Sequence, residues 1–347
     1  MLATQSLSRL QSAATAAAFG LSLAATALSP ASASLGYRTA GVNHRAPCTV
    51  ALWASSPTTN TVYGYSAPYT ICVTLTGFNT PAGLTTDQQG NLYVADLNNH
   101  RIMIYNSAGV FIKKWSTTLF SHNYQPVGIC ASDIDYTKSP IGVVTRYANH
   151  SSSPGIVEFF REYLPNNSTA SGYASGIVNQ GNFCAFDVKS NFFVDGPVTS
   201  GGKKIAYLTS YQYNTNVHTL TDSFLGTGSN WVGMYSRIDS PVDETLSVGT
   251  KTPLSTTQVV DNWKVGCTAS VCTFTSIAPY SLTSYPSSSP NNVAQLAPTA
   301  GGSLGSLFIA DADANLVFGT PAAGGAVVGV ESPTYAFGVA TEPQGQY

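Results

Sequence analysis

Charge is what this sequence has least of. Of 347 residues only 9% are Asp, Glu, Lys or Arg, against about 25% in an ordinary soluble protein. The 15 basic and 17 acidic side chains leave a net charge of −2, and Lys and Arg nowhere gather into a block. A surface that neutralises phosphates needs such a block, so nucleic acid is excluded as a partner. Scarce charge does not mean disorder, because disordered chains combine high charge with few aromatics. Here apolar residues make up 43% and aromatic ones 11%. A Walker loop, a G-x-G-x-x-G turn, a C-x-x-C pair and closely spaced histidines are all missing. Their absence removes the usual phosphate cradle, dinucleotide site and zinc site. Beyond residue 33 no apolar run reaches the ~20 residues a membrane-spanning helix requires.

What is present begins with a leader. Arg9 gives residues 1–33 a weakly positive start, an Ala- and Leu-rich stretch follows, and Ala31 and Ala33 form an A-x-A pattern. This is the outline of an export signal cut after Ala33. The destination is then secretion, a periplasm or the cell surface. A short extension, 34–47, precedes a single domain over 48–347. Export makes the six cysteines readable as disulfides. Sequential pairing is preferred: Cys48 with Cys72, Cys130 with Cys184, and Cys267 with Cys272. For Cys130 and Cys184, small buried thiols are the competing reading.

The domain shows its unit over 80–115, TPAGLTTDQQGNLYVADLNNHRIMIYNSAGVFIKKW. Thr80 to Thr86 reads as a strand, Asp87 to Gly90 as a turn, and Asn91 to Ala95 as a second strand of alternating character. After a turn at Asp96 to His100 comes a third strand around Ile102 and Ile104. Ser107 to Gly109 turns the chain into a fourth, Val110 to Trp115. Four antiparallel strands in about 40 residues make one blade of a β-propeller. This blade resembles an NHL repeat through Pro81, Gly83, Asp87, Gly90, the run Leu92 to Asp96, Asn99 to Ile102, Tyr105 and Gly109. Weaker copies recur at 126–160, 182–210, 230–277 and 292–331. Residues 49–75 lack a first strand, and 335–347 have the form of one. The expected fold is therefore an all-β, six-bladed propeller of four-stranded antiparallel blades. The C-terminal strand completes the N-terminal blade and leaves no free sheet edge at the join. Seven blades of about 45 residues also fit the length.

The acidic residues recur with the unit. Asp87, Asp133, Asp187, Asp239 and Glu342 end first strands, and Asp96, Asp195 and Asp311 end second strands. A catalytic site needs its groups once, so recurrence argues for turn closure. His100 and Arg101 belong to the repeat in the same way. Aromatic and amide side chains in the loops are different, because they do not recur. On the face where first strands begin, the ligand candidates are Tyr124, Tyr147, His150, Asn230, Trp231, Tyr285 and Tyr335, with Asn79 and His122 beside them. Tyr and Trp join an apolar ring to a polar tip, which suits a peptide or a sugar. The preferred expectation is a monomeric, non-catalytic binding or scaffold module for a protein, peptide or glycan, with no cofactor and no bound metal. The NHL resemblance also implies an alternative, a metal-dependent lactonase or lyase. It would draw ligands from Asp195, Asp311, Asp313, Asn230 and Asn292.

Overall fold

The computed structural model describes residues 48–66, 69–115, 124–132, 140–147, 154–161, 169–179, 183–187, 191–195, 203–208, 217–222, 231–240, 243–250, 258–268, 272–281, 293–298, 307–311, 316–320, 328–331 and 336–341. All lie in one compact unit, Ala40–Tyr347. They form six four-stranded antiparallel sheets, and among the described residues there is no α-helix.

One sheet joins the two ends of the domain. Its strands are β1 (Leu52–Ser56), β2 (Thr61–Ser66), β3 (Thr70–Leu75) and, from the far end of the chain, β24 (Val339–Thr341), in the order β24-β1-β2-β3. Leu52 pairs with Thr341, Trp53 with Ala340 and Ala54 with Val339. The second sheet is β4 (Pro81–Thr86), β5 (Leu92–Asp96), β6 (Arg101–Tyr105) and β7 (Phe111–Trp115). The third is β8 (Tyr124–Ala131), β9 (Pro140–Tyr147), β10 (Pro154–Arg161) and β11 (Thr169–Asn179). The fourth is β12 (Cys184–Phe186), β13 (Phe192–Asp195), β14 (Lys203–Leu208) and β15 (Val217–Asp222). The fifth is β16 (Trp231–Ser240), β17 (Asp243–Thr250), β18 (Gln258–Cys267) and β19 (Cys272–Ser281). The sixth is β20 (Val293–Pro298), β21 (Leu307–Asp311), β22 (Leu316–Thr320) and β23 (Val328–Glu331).

Alternation explains how a sheet buries both faces. In β5, Leu92 and Val94 point into a cluster with Trp53, Val62, Leu84 and Tyr105, which belong to the first and second sheets. Tyr93 and Ala95 point the other way, into a cluster with Ile102, Trp115, Ile129 and Val143 of the second and third sheets. Every residue of β5 is buried, and each large apolar side chain so covered stabilises the fold by about 1.5–3 kcal/mol.

The first strands of the sheets touch in succession. β4 packs on β8, β8 on β12, β12 on β16, β16 on β20, and β24 on both β20 and β4. Glycine permits the closest of these approaches. A Cβ on Gly83 would lie 2.7 Å from the Val127 carbonyl oxygen, and one on Gly338 would overlap the Ala82 carbonyl and lie 2.6 Å from Ser55 Oγ.

Three disulfides follow the sequential pattern, and no described cysteine is free. Cys48–Cys72 ties the segment leading into β1 to β3. Cys130–Cys184 joins β8 to β12 across two sheets, with Cα atoms 5.7 Å apart, so the buried-thiol reading does not hold. Cys267–Cys272 closes the β18–β19 hairpin.

Two segments differ from expectation. The copies at 126–160 and 182–210 leave 161–181 outside any blade, yet 169–179 form β11, with Tyr173 opposite Glu158. The run TASGYASG is small and polar and lacks the alternation that marks a strand. Likewise β15 occupies 217–222, where no fourth strand is evident in the sequence. The leader, 1–33, and the extension, 34–47, lie outside the described residues.

Candidate functional site

Asp96, His100 and Arg101 of the best repeat are occupied by the chain itself. Asp96 is fully buried at the end of β5. Its Oδ1 accepts the Asn79 N–H at 2.7 Å, and its Oδ2 accepts Asn99 Nδ2 at 2.8 Å and Arg101 Nε at 2.6 Å. Arg101 spends a further N–H on the Gly77 carbonyl at 2.8 Å. His100 stands in the left-handed region at φ 51°, where it ends the single turn Leu97–Asn99. Its Nδ1 donates to the Tyr124 carbonyl, which can only accept, at 2.9 Å. These groups tie β5 and β6 to the preceding link and to β8. Nearby, burial pushes the Tyr105 hydroxyl up to about 12, with Arg101 opposing and Asp96 reinforcing the shift.

Two of the recurring first-strand aspartates, Asp87 and Asp187, close turns, as their recurrence implies, whereas Asp239 lies within β16. Asp87 Oδ1 accepts the N–H groups of Gln89 and Asn91 at 2.9 and 2.8 Å, and Oδ2 accepts Asn91 Nδ2 and Tyr93 OH. Asp187 repeats the arrangement with Asn191, whose N–H it accepts at 2.7 Å and whose Nδ2 also donates to it. The shared spacing, Asp followed four residues later by Asn, is legible in the sequence. Asp133 and Glu342 lie outside the described residues.

The polar groups where first strands meet are likewise spent internally. Gln295 of β20 is buried; its Oε1 accepts Leu84 N–H at 2.8 Å and Val339 N–H at 3.2 Å, and its Nε2 donates to the Leu84 carbonyl. One side chain thus links β20, β24 and β4. Ser55 Oγ donates to the Ala82 carbonyl at 2.6 Å and accepts Gly338 N–H at 2.7 Å. Phe183, just before β12, meets Phe337, just before β24, with ring centroids 5.3 Å apart. Nothing in the local sequence marks Gln295 or Ser55, because their partners lie 211 and 283 residues away.

A rim of amides and hydroxyls remains at the surface. Asn60 Oδ1 accepts Thr80 N–H at 2.7 Å, Asn98 Nδ2 donates to Thr80 Oγ1 at 2.7 Å, and Gln125 Nε2 donates to Asn98 Oδ1 at 3.0 Å. Asn60, Asn79 and Asn98 are exposed. The rim runs from the β1–β2 turn across the turn after β5 to the start of β8. Tyr124 opens β8 directly opposite Tyr147, the last residue of β9, so the backbone brings two of the expected site residues together. Trp231 opens β16 opposite Thr250. His150, Asn230, Tyr285 and Tyr335 lie outside the described residues, as do His122, Asn292 and Asp313. Of the alternative ligand set, Asp311 is fully buried at the end of β21, and Asp195 ends β13.

These features define a class: an all-β protein of stacked antiparallel sheets with the NHL-type propeller fold. Residues 78–105 match the NHL repeat, within the blade singled out from sequence. No curated protein matches the chain. Among solved structures, it is similar to a protein of unknown function from Bacteroides caccae, with TM-score 0.56 and 10% identity over 85% of this chain and 100% of that one. A functionally unknown protein from Desulfotomaculum acetoxidans DSM 771 gives TM-score 0.53 and 11% identity, again over 85% and 100%. The major allergen Mala s 1 of Malassezia sympodialis gives TM-score 0.50 and 14% identity, over 75% of this chain and 77% of that one. At such identities the likeness is one of fold.

Proposed function

We propose that this chain is an exported, non-catalytic binding module: a monomeric propeller of six four-stranded blades, closed where β24 joins β1. It holds a protein, peptide or glycan on the face that carries Asn60, Asn79, Asn98, Gln125 and Tyr124. Tyr147, His150, Asn230, Trp231, Tyr285 and Tyr335 extend that face. The succession of first-strand contacts and the β24–β1 pairing support the closed ring. Three disulfides and the leader at 1–33 support export. One observation carries the functional reading. The described polar groups between first strands, Gln295 and Ser55, are committed to backbone partners, and an aromatic pair lies between β12 and β24. Groups already satisfied by the fold have little to offer a substrate. The amides and hydroxyls able to exchange partners lie on the exposed rim.

The test is a glycan array and a pull-down with the purified protein, repeated with Asn98→Ala and Tyr124→Ala. A saturable ligand whose binding weakens about tenfold or more in either variant is expected. Reproducible turnover of an ester or lactone by pure protein, with no partner retained, would overturn the reading.

A further inference from the structure

The amide rim has more hydrogen-bonding capacity than the fold consumes, and what is left over has a definite character. Asn60 Oδ1 is fixed as the acceptor by the Thr80 N–H, which leaves its Nδ2 without a partner among the described residues. Asn79 Oδ1 accepts Asn98 Nδ2 at 3.4 Å, and Asn79 Nδ2 is likewise unused among those residues. Gln125 gives Nε2 to Asn98 Oδ1 and keeps Oε1. His100 gives Nδ1–H to the Tyr124 carbonyl, so Nε2 is an acceptor in the neutral ring. Two donor groups and two acceptor atoms therefore stand in one row. The row crosses the β1–β2 turn, the link before β4, the turn after β5 and the start of β8. It is held from within. Asn60, Thr80 and His100 take left-handed backbones at φ 56°, 61° and 51°. Such conformations persist where neighbouring contacts over-determine them, and the bonds from Asn60 through Thr80 and Asn98 to Gln125 supply those contacts.

From this we infer that the rim takes a neutral, hydroxyl-rich oligosaccharide. The inference rests on the binding reading proposed above and narrows its three ligand classes to one. A hydroxyl both gives and takes a hydrogen bond, so a run of hydroxyls matches a mixed set of donors and acceptors. An anion would need donors alone, and a cation acceptors alone. The charged side chains beside the rim are also committed: Arg101 Nε bonds Asp96 Oδ2 at 2.6 Å, and Asp96 is fully buried. A protein or peptide partner is anchored by large apolar, aromatic or Arg side chains seated in desolvated pockets. Among the described residues the exposed large apolar side chains are Ile71, Val110, Phe111 and Ile112. They belong to β3 and to the β6–β7 hairpin, whose tip lies at the opposite end of β6 from the rim. Because the row crosses three sheets, several sugar units rather than one are needed to fill it.

The experiment offers the purified protein an array of neutral oligosaccharides of hexoses and N-acetylhexosamines, beside counterparts that bear uronate or sulfate groups. Saturable binding to neutral members is expected, about tenfold tighter than to charged counterparts. It should not change when salt rises from about 0.05 to about 0.5 M, because no ion pair is screened. Asn60→Asp and Asn79→Asp are the informative variants. Each keeps the oxygen that the rim uses and replaces the unused donor with an acceptor. Each should weaken the best oligosaccharide roughly tenfold while moving the melting temperature by less than about 2 °C. The inference is overturned if no neutral oligosaccharide binds, if charged counterparts bind as tightly, or if either variant binds as the unaltered protein does. A protein or peptide retained through Asn98 and Tyr124, with every oligosaccharide ignored, would overturn the sugar and leave the rim reading intact. A ligand of any class that is indifferent to all the rim variants would overturn both.

Discussion

Replacing Gln295 with Leu removes one side chain but strips three buried backbone groups of a partner. Leu84 N–H, Val339 N–H and the Leu84 carbonyl all bond to this amide, and Leu84 and Val339 are fully buried. An unsatisfied buried polar group costs about 1–3 kcal/mol. Three of them, less about 1 kcal/mol for the apolar surface that leucine brings, give a net loss of roughly 2–8 kcal/mol. A folded domain commands only about 5–15 kcal/mol in all. Near the midpoint, a domain of this size moves about 2 °C per kcal/mol, so the expected fall is roughly 4–16 °C. Guanidinium melts with a shared slope provide the free energy, and calorimetry the midpoint. Gln125→Leu is the comparison, because Gln125 makes a single exposed bond to Asn98; it should change stability by less than about 1 kcal/mol. If Gln295→Leu unfolds within 1 kcal/mol of the unaltered protein, the claim that this amide joins β20, β24 and β4 is wrong.

Other outcomes follow from the same geometry. Asp96→Ala leaves Asn79 N–H, Asn99 and Arg101 without their acceptor and should cost about 2–4 kcal/mol in a chemical melt. The Tyr105 hydroxyl, raised to about 12 by burial, ionises near 10 once unfolded. Its contribution is therefore complete below pH ~10 and is lost as pH climbs through 10 to 12; stability measured over that window should flatten in Tyr105→Phe. Gly338→Ala drives a Cβ into the Ala82 carbonyl, and circular dichroism should show loss of the cooperative transition at a much lower temperature. The disulfides span 54, 24 and 5 residues, for which chain entropy predicts about 4, 3.4 and 2 kcal/mol. Paired Cys→Ala variants should lose stability in the order Cys130–Cys184, Cys48–Cys72, Cys267–Cys272.

Local patterns in the sequence determined much of this protein. Alternation in Leu92-Tyr-Val-Ala, the Asp-to-Asn spacing at Asp87 and Asp187, and the form shared by YAFGVATE and PAGLTTDQ each express a contact made within one blade or repeated in several. Such contacts leave a trace because strand pleat and turn chemistry act over a few residues. Cysteine order, read with the leader, anticipated Cys48–Cys72 and Cys267–Cys272 and left Cys130 and Cys184 open between a disulfide and buried thiols. The tertiary structure alone decided the rest. β11 carries no alternation, so only its pairing with β10 reveals it. Gln295 and Ser55 look like ordinary polar residues until strands more than two hundred positions apart meet. The exposure of Phe111 and Ile112 depends on a bulge against β6, and that register is set by packing across the sheet. The physical reason is range: a side chain's local preference is written in its neighbours, but its burial, its hydrogen-bond partner and its contact with solvent are set by distant strands that the chain must first bring together.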